Sequence, residues 1–209
     1  MLASLPPARA VGIDFGTTNS VIARSSGGGH AELVAFDGPD GASAVFRSAL
    51  CFWQDEAVRG GLAHEAGPWA IAEFLDFPQG SRFLQSFKSV AASSTFEHAN
   101  LFEKRLRFEE LGQVFLKHMM AHGEDALRDL PERIVVGRPV RYVGSQPDPQ
   151  LARKRYDAMF APQESATNRP SETHGRSDWD AVRQWQAPRR EYRQSAAGPA
   201  RSSVQNRCG

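Results

Sequence analysis

A short segment near the start of the chain has the residue types of a phosphate-binding turn. Two apolar runs within residues 10–23 flank a turn whose residues are Gly16, Thr17, Thr18 and Asn19. This pattern predicts a β-hairpin. Glycine lets the backbone expose N–H groups and the threonine hydroxyls add donors, so the turn could hold phosphate oxygens. Asp14 precedes the turn and could bind a hydrated Mg²⁺ ion that bridges phosphates, because a carboxylate alone would repel them.

The segment 14–20, Asp-Phe-Gly-Thr-Thr-Asn-Ser, resembles the first phosphate motif of the seventy-kilodalton heat-shock chaperones. Their ATPase domain has the α/β actin-like (ribonuclease H-like) fold, which sugar kinases share. The resemblance implies ATP and Mg²⁺ as cofactors, Gly16 to Asn19 as the cofactor-binding residues, and Asp14 as a metal-binding and catalytic residue. The alternative is a structural hairpin that is rich in Thr and Asn.

A second candidate residue lies in the segment 81–89. Phe83, Leu84 and Phe87 recur there at helical spacing and Lys88 follows them, so the pattern predicts a helix. The resemblance to the chaperones implies that Lys88 is catalytic and reaches the γ-phosphate and the attacking water. A cation at that place would neutralise charge that develops on the transferred group. The alternative is a solvated helix lysine.

The elements that must position these residues alternate between strands and helices. Runs bounded by Gly, Pro and Asp predict strands that extend one sheet, at 31–36 and 48–53. The segment 58–66 resembles the short strand and Gly-x-x-Ala helix start that follow the opening sheet of the family. An amphipathic helix is predicted over 107–130, followed by an apolar strand within 130–142 and a helix over 151–160.

Three further residues are weaker candidates. His118 and His122 lie four apart on the predicted helix, a spacing that a zinc site could use. The sequence offers no evident third ligand, so polar-face residues are the favoured interpretation. Pro139 follows a strand at the position where family members carry a proline implicated in communication between domains, and the alternative is a proline that ends a strand.

Composition limits the kinds of partner. The chain has 209 residues, a net charge of +1 and 25 basic against 24 acidic residues. Such a balance lacks the basic character of proteins that bind nucleic acid or anionic lipid. No apolar run is long enough for a membrane span or a signal peptide. The two cysteines match no disulfide or metal spacing, which favours a reducing compartment and a cytoplasmic location.

Composition also divides the chain near residue 161. From 162 to 209 there is no Leu, Ile, Phe, Met or Lys, so this segment cannot bury enough apolar surface to offset its chain entropy. The apolar periodicity breaks off inside an apparent helix, 151–160, without a capping or stop signal. We therefore expect residues 1–161 to form a partial nucleotide-binding domain, the first lobe of the fold, and 162–209 to be a disordered or frame-shifted tail.

The resemblance implies a chaperone that couples ATP hydrolysis to the binding of unfolded client proteins. The sequence contains no second phosphate loop, no adenosine motif and no substrate-binding domain of the family's type, so we expect a truncated, inactive copy that binds ATP or ADP poorly. A sugar-kinase-like phosphotransferase and a non-enzymatic actin-like nucleotide-binding module are the alternatives. A product without independent function is a third.

Overall fold

A computed structural model describes residues 10–127, 131, 133–137, 142 and 146–160. The strands are β1 (Ala10–Phe15), β2 (Asn19–Gly27), β3 (His30–Leu33), β4 (Phe36–Gly38), β5 (Gly41–Ser43), β6 (Phe46–Arg47), β7 (Ala49–Gln54), β8 (Leu62–Ala66), β9 (Ser81–Gln85), β10 (Ala99–Leu101), β11 (Lys104–Leu106) and β12 (Arg133–Gly137). The helices are α1 (Gly67–Asp76), α2 (Phe108–His122) and α3 (Pro149–Phe160), with 3₁₀ turns at Phe87–Val90 and Glu124–Leu127. The chain is therefore a mixed α/β protein. Pro139 and the tail 162–209 lie outside the described residues.

The central sheet is built around the predicted hairpin, which is confirmed. Its strands run in the order β12-β1-β2-β3, and β6 pairs with the first residues of β2. β1 pairs with β2 and β2 with β3 in antiparallel register, whereas β12 returns parallel to β1. The parallel pairing requires a crossover, and the intervening chain supplies it with helices and a second sheet.

The second sheet contains β8, β7 and β9 in that order, all antiparallel. The strand predicted at 48–53 is present as β7, but the expectation that it extends the first sheet is wrong. Its residues from Ala49 to Cys51 are buried without alternation. A strand that is covered on both faces shows no alternation of apolar and polar residues, so its sequence does not indicate which sheet it joins.

The segment 81–89 forms a strand followed by a 3₁₀ turn, so the prediction of a helix is wrong. Phe83 and Leu84 belong to β9, where Phe83 pairs with Cys51 of β7. The strand ends at Gln85, and the next residue, Ser86, has a φ of 54° in the left-handed region. Three apolar residues in a segment this short fit both the strand and the helix period, and the available partner strand decides.

The segment 58–66 likewise differs from the expected helix start. It ends in β8, and α1 begins at Gly67. Pro68 favours a start here because proline suits the first turn of a helix. Gly67 has a φ of +66°, and a Cβ on it would lie 2.4 Å from Cζ of Phe46. Only glycine fits this junction.

Helix α2 confirms the amphipathic pattern but is shorter than predicted. At its start the backbone N–H of Arg107 donates to Oε2 of Glu110 over 2.7 Å, which is the glutamate half of a capping box. It ends at His122, followed by Gly123 and a 3₁₀ turn instead of continuing to residue 130. Helix α3 confirms the last predicted helix. It packs on α2 at Gly112, where a Cβ would lie 2.0 Å from Sδ of Met159.

The core lies between the central sheet, α2 and α3, and is rich in phenylalanine. Phe15 of β1 stacks on Phe115 of α2 with ring centroids 5.2 Å apart, and Phe46 meets the same Phe115 edge-on at 5.5 Å. All three side chains are fully buried. No helix in the described part of the chain combines the length and apolar character needed to cross a bilayer.

Candidate functional site

The predicted phosphate turn is a tight connection between β1 and β2. Thr17, Thr18 and Asn19 are exposed at its tip. A Cβ on Gly16 would lie 1.9 Å from the carbonyl oxygen of Asn19, so glycine is required by space as well as by chemistry. Within the described residues, neither Thr17 nor Thr18 has an acceptor for its backbone N–H. The turn therefore presents free donors at the protein surface.

The turn is held in place by Arg47 and Ser48, which lie at the end of β6 and just before β7. Ser48 donates its backbone N–H to the carbonyl of Thr18 and its hydroxyl to the carbonyl of Gly16, both over 2.8 Å. Arg47 donates from Nη1 to Oδ1 of Asn19 over 2.8 Å. These bonds occupy the carbonyls of Gly16 and Thr18 and leave the N–H groups of Thr17 and Thr18 open, which favours an anion as the ligand.

Asp14 lies at the end of β1 with its side chain exposed. Its register partner on β12 is Gly137, and a Cβ there would be 3.7 Å from Oδ1 of Asp14. The carboxylate is thus open to solvent and next to the turn. The opposite residue on β12, Gly137, has no side chain that could cover it. A carboxylate at such a position can bind a cation that keeps most of its water ligands.

Lys88 belongs to the 3₁₀ turn after β9 and is 6% exposed. Its Nζ lies 4.4 Å from the ring centroid of Phe15 and 5.9 Å from that of Tyr156. Burial lowers the pKa of Lys88 to about 8, and the nearby carboxylate of Asp14 opposes that shift. The alternative of a solvated helix lysine is therefore wrong. The fold brings Lys88 within electrostatic reach of Asp14.

The segment that carries Lys88 is fixed by Arg155 of α3. The guanidinium donates to the carbonyls of Val90, Ala91 and Ser93 over 2.9 to 3.0 Å, and also to the carbonyl of Phe96. Planar donors in a fork suit such a set of carbonyls better than an ammonium would. The residue pattern of α3 does not indicate this contact, because a basic residue in an otherwise polar helix usually faces solvent.

Among the described residues, the cavity beside the turn is small. Its volume is about 20 Å³, room for about one water molecule. Its lining residues are Thr18, Arg47, Ser48, Ala49, Ile71, Phe83, Gln85 and Ser86. A nucleotide needs a cleft of several hundred Å³. This cavity is therefore too small to enclose a nucleotide.

A second cluster of polar side chains lies between β8 and α2. His118 and His122 are 11% and 18% exposed and both face Glu65, so their interpretation as polar-face residues is wrong. Burial alone would raise the pKa of Glu65, but hydrogen bonds from His118, His122 and the backbone of Ala66 outweigh it and hold that pKa well below its ordinary range. The third polar partner that the sequence did not reveal is thus Glu65, which follows His64 on the neighbouring strand.

Comparison with known proteins adds no family assignment. No protein-family model matches the chain, and no characterised protein matches its sequence significantly.

Proposed function

We propose that this chain is the first lobe of an actin-like ATPase of the seventy-kilodalton heat-shock type, and that its turn binds the phosphates of ATP with Mg²⁺. One observation carries the proposal. The exposed carboxylate of Asp14, two residues before the open turn, lies within electrostatic reach of the buried cation of Lys88, which is far away in the sequence. The sheet order β12-β1-β2-β3, with only β12 parallel to β1, is compatible with that fold.

Each group has a distinct task in this proposal. Within the turn from Gly16 to Asn19, the amides and hydroxyls of Thr17 and Thr18 hold phosphate oxygens. Asp14 holds a hydrated Mg²⁺ ion, and Lys88 neutralises charge on the terminal phosphoryl group. A cation whose pKa is lowered by burial can also exchange a proton with the attacking water near neutral pH. Localisation in the cytoplasm and a link to unfolded client proteins are parts of the same proposal.

The chain by itself should bind nucleotide weakly and turn it over negligibly. With one wall of the cleft, the phosphates stay hydrated and the donors act against water, which removes most of the electrostatic advantage. We expect a dissociation constant for MgATP of about 1 mM or weaker, equivalent to about −4 kcal/mol.

Amide NMR of the chain titrated with MgATP tests the proposal directly. The resonances of Gly16 to Asn19 should shift with MgATP and not with Mg²⁺ alone. Gly16→Ala should abolish the shifts, since the added Cβ cannot coexist with the carbonyl of Asn19. Gly12→Ala is the matched control on the same strand, because a Cβ there meets nothing within 4 Å.

Two results would overturn the proposal. One is an absence of shifts in the turn at millimolar MgATP. The other is equal binding by the two glycine variants, which would locate any nucleotide site elsewhere.

A further inference from the structure

Four side chains from two elements meet between the second sheet and α2. Nδ1 of His118 lies 2.6 Å from Oε1 of Glu65, and Nε2 of His122 lies 3.1 Å from the same oxygen. On its other side, His118 places Nε2 within 2.8 Å of Nδ1 of His64. The backbone N–H of Ala66 also donates to Oε1 of Glu65, over 2.9 Å.

The donor set has the chemistry of a transition-metal site. Glu65, His118 and His122 each offer one ligand atom, and these atoms all lie within 4.8 Å of one another. Two imidazoles and one carboxylate are a set that Zn²⁺ accepts, whereas Mg²⁺ and Ca²⁺ prefer oxygen alone. Zinc bonds of about 2.0–2.2 Å in tetrahedral geometry separate ligand atoms by about 3.3 Å. The pair of Glu65 and His122 is already near that spacing, and His118 must withdraw from Glu65 by less than about 1 Å. The ligand nitrogens of His118 and His122, which lie within 4.8 Å of each other, must approach each other as the ion binds.

We propose that Glu65, His118 and His122 bind a zinc-class divalent ion, with His64 as the outer partner that orients His118. The ion takes the centre of the cluster and a water molecule completes its coordination. Each neutral imidazole keeps one proton and carries it on the nitrogen that does not bind the metal. His118 then donates from Nε2 to Nδ1 of His64, which plays the part of the outer acceptor that orients a metal-binding histidine.

The surroundings hold these ligands in place before any ion arrives. The ring of His122 stacks on that of Trp69, with centroids 3.5 Å apart and planes 8° apart. One turn of α2 fixes His118 and His122 relative to each other, and the N–H of Ala66 fixes the carboxylate of Glu65. Because β8 and α2 belong to different layers, an ion here would join the second sheet to the core helix.

Cobalt and zinc titrations of the chelator-treated full chain test the site. We expect one Co²⁺ per chain with the intense visible absorption of a tetrahedral site, displaced by one equivalent of Zn²⁺, and a higher melting temperature with Zn²⁺. His122→Phe should abolish tight binding while it keeps the stacked ring on Trp69. His64→Phe should weaken binding by about 10- to 100-fold through loss of the outer partner.

The other histidines of the chain provide the controls. His30→Ala, His98→Ala and His174→Ala should leave the affinity for Zn²⁺ unchanged. Imidazole ¹⁵N spectra of the unmodified chain should show zinc-induced shifts at Nδ1 of His118 and Nε2 of His122, and these need no variant that could fail to fold. The proposal is overturned by the absence of a one-to-one complex, by undiminished binding in His122→Phe, or by zinc-induced shifts at other histidines only.

Discussion

Lys88 is a residue whose charge the fold keeps largely out of water. It is 6% exposed, it lies over the ring of Phe15, and no described residue forms an ion pair with it within 4 Å. A cation–π contact stabilises such a charge only in part, so the residue costs stability that a structural role would not require. Residues that serve binding or catalysis often have this property.

We predict that Lys88→Met raises the free energy of unfolding at pH 7 by about 1 kcal/mol, because it replaces a buried cation by an apolar side chain of similar length. Lys104→Met, at an exposed position, should change it by less than about 0.5 kcal/mol. Urea unfolding measures both. A loss of stability in Lys88→Met would show that the charge is compensated in a way the contacts do not reveal.

The same residue makes a pH prediction with a definite sign. The pKa of Lys88 is about 8 in the fold, against 10.5 for the ordinary group, so between these pH values the unfolded chain binds more protons than the folded one. Its unfavourable effect is complete below pH 8 and fades as pH rises towards 10.5. The stability advantage of Lys88→Met over the unmodified chain should therefore shrink from pH 8 to pH 10.5 in parallel urea series.

At the scale of elements, Arg155 shows how α3 fixes the segment of Lys88. We predict that Arg155→Lys lowers the free energy of unfolding by about 2–3 kcal/mol, because an ammonium cannot serve all the carbonyls that the guanidinium reaches and some stay buried without a donor. Arg153→Lys is the matched control on the same helix, since it makes one exposed contact of 3.9 Å to Asp157. Equal effects of the two substitutions would contradict this account.

Local patterns predicted the elements better than their partners. The hairpin around Gly16 and the amphipathic helix α2 are confirmed because their periodicity and turn residues act over a few positions. The pairing of β7 with β8 and β9, and the strand at Phe83, depend on contacts between distant segments that no local period encodes. The spacing of His118 and His122 was evident, but their partner Glu65 comes from a strand far away in the sequence.

At the scale of the whole molecule, Phe46 connects parts that the sheets would otherwise leave separate. Its ring contacts Phe36, Trp69, Phe115 and His122, with centroids between 4.9 and 6.1 Å. It thereby touches helix α1, which connects β8 to β9 of the second sheet, and helix α2, which covers the central sheet. A single residue so placed makes the stability of the two sheets interdependent.

We predict that Phe46→Ala lowers the free energy of unfolding by about 3–5 kcal/mol, from lost burial and a cavity that Gly67 cannot fill. Because total stability is about 5–15 kcal/mol, the variant should be marginal. Amide hydrogen exchange should show β1 and β7 losing protection together. Phe77→Ala is the control, since Phe77 is 55% exposed and should cost less than about 1 kcal/mol. If β7 kept its protection while β1 lost it, the two sheets would be independent folding units and Phe46 a merely local contact.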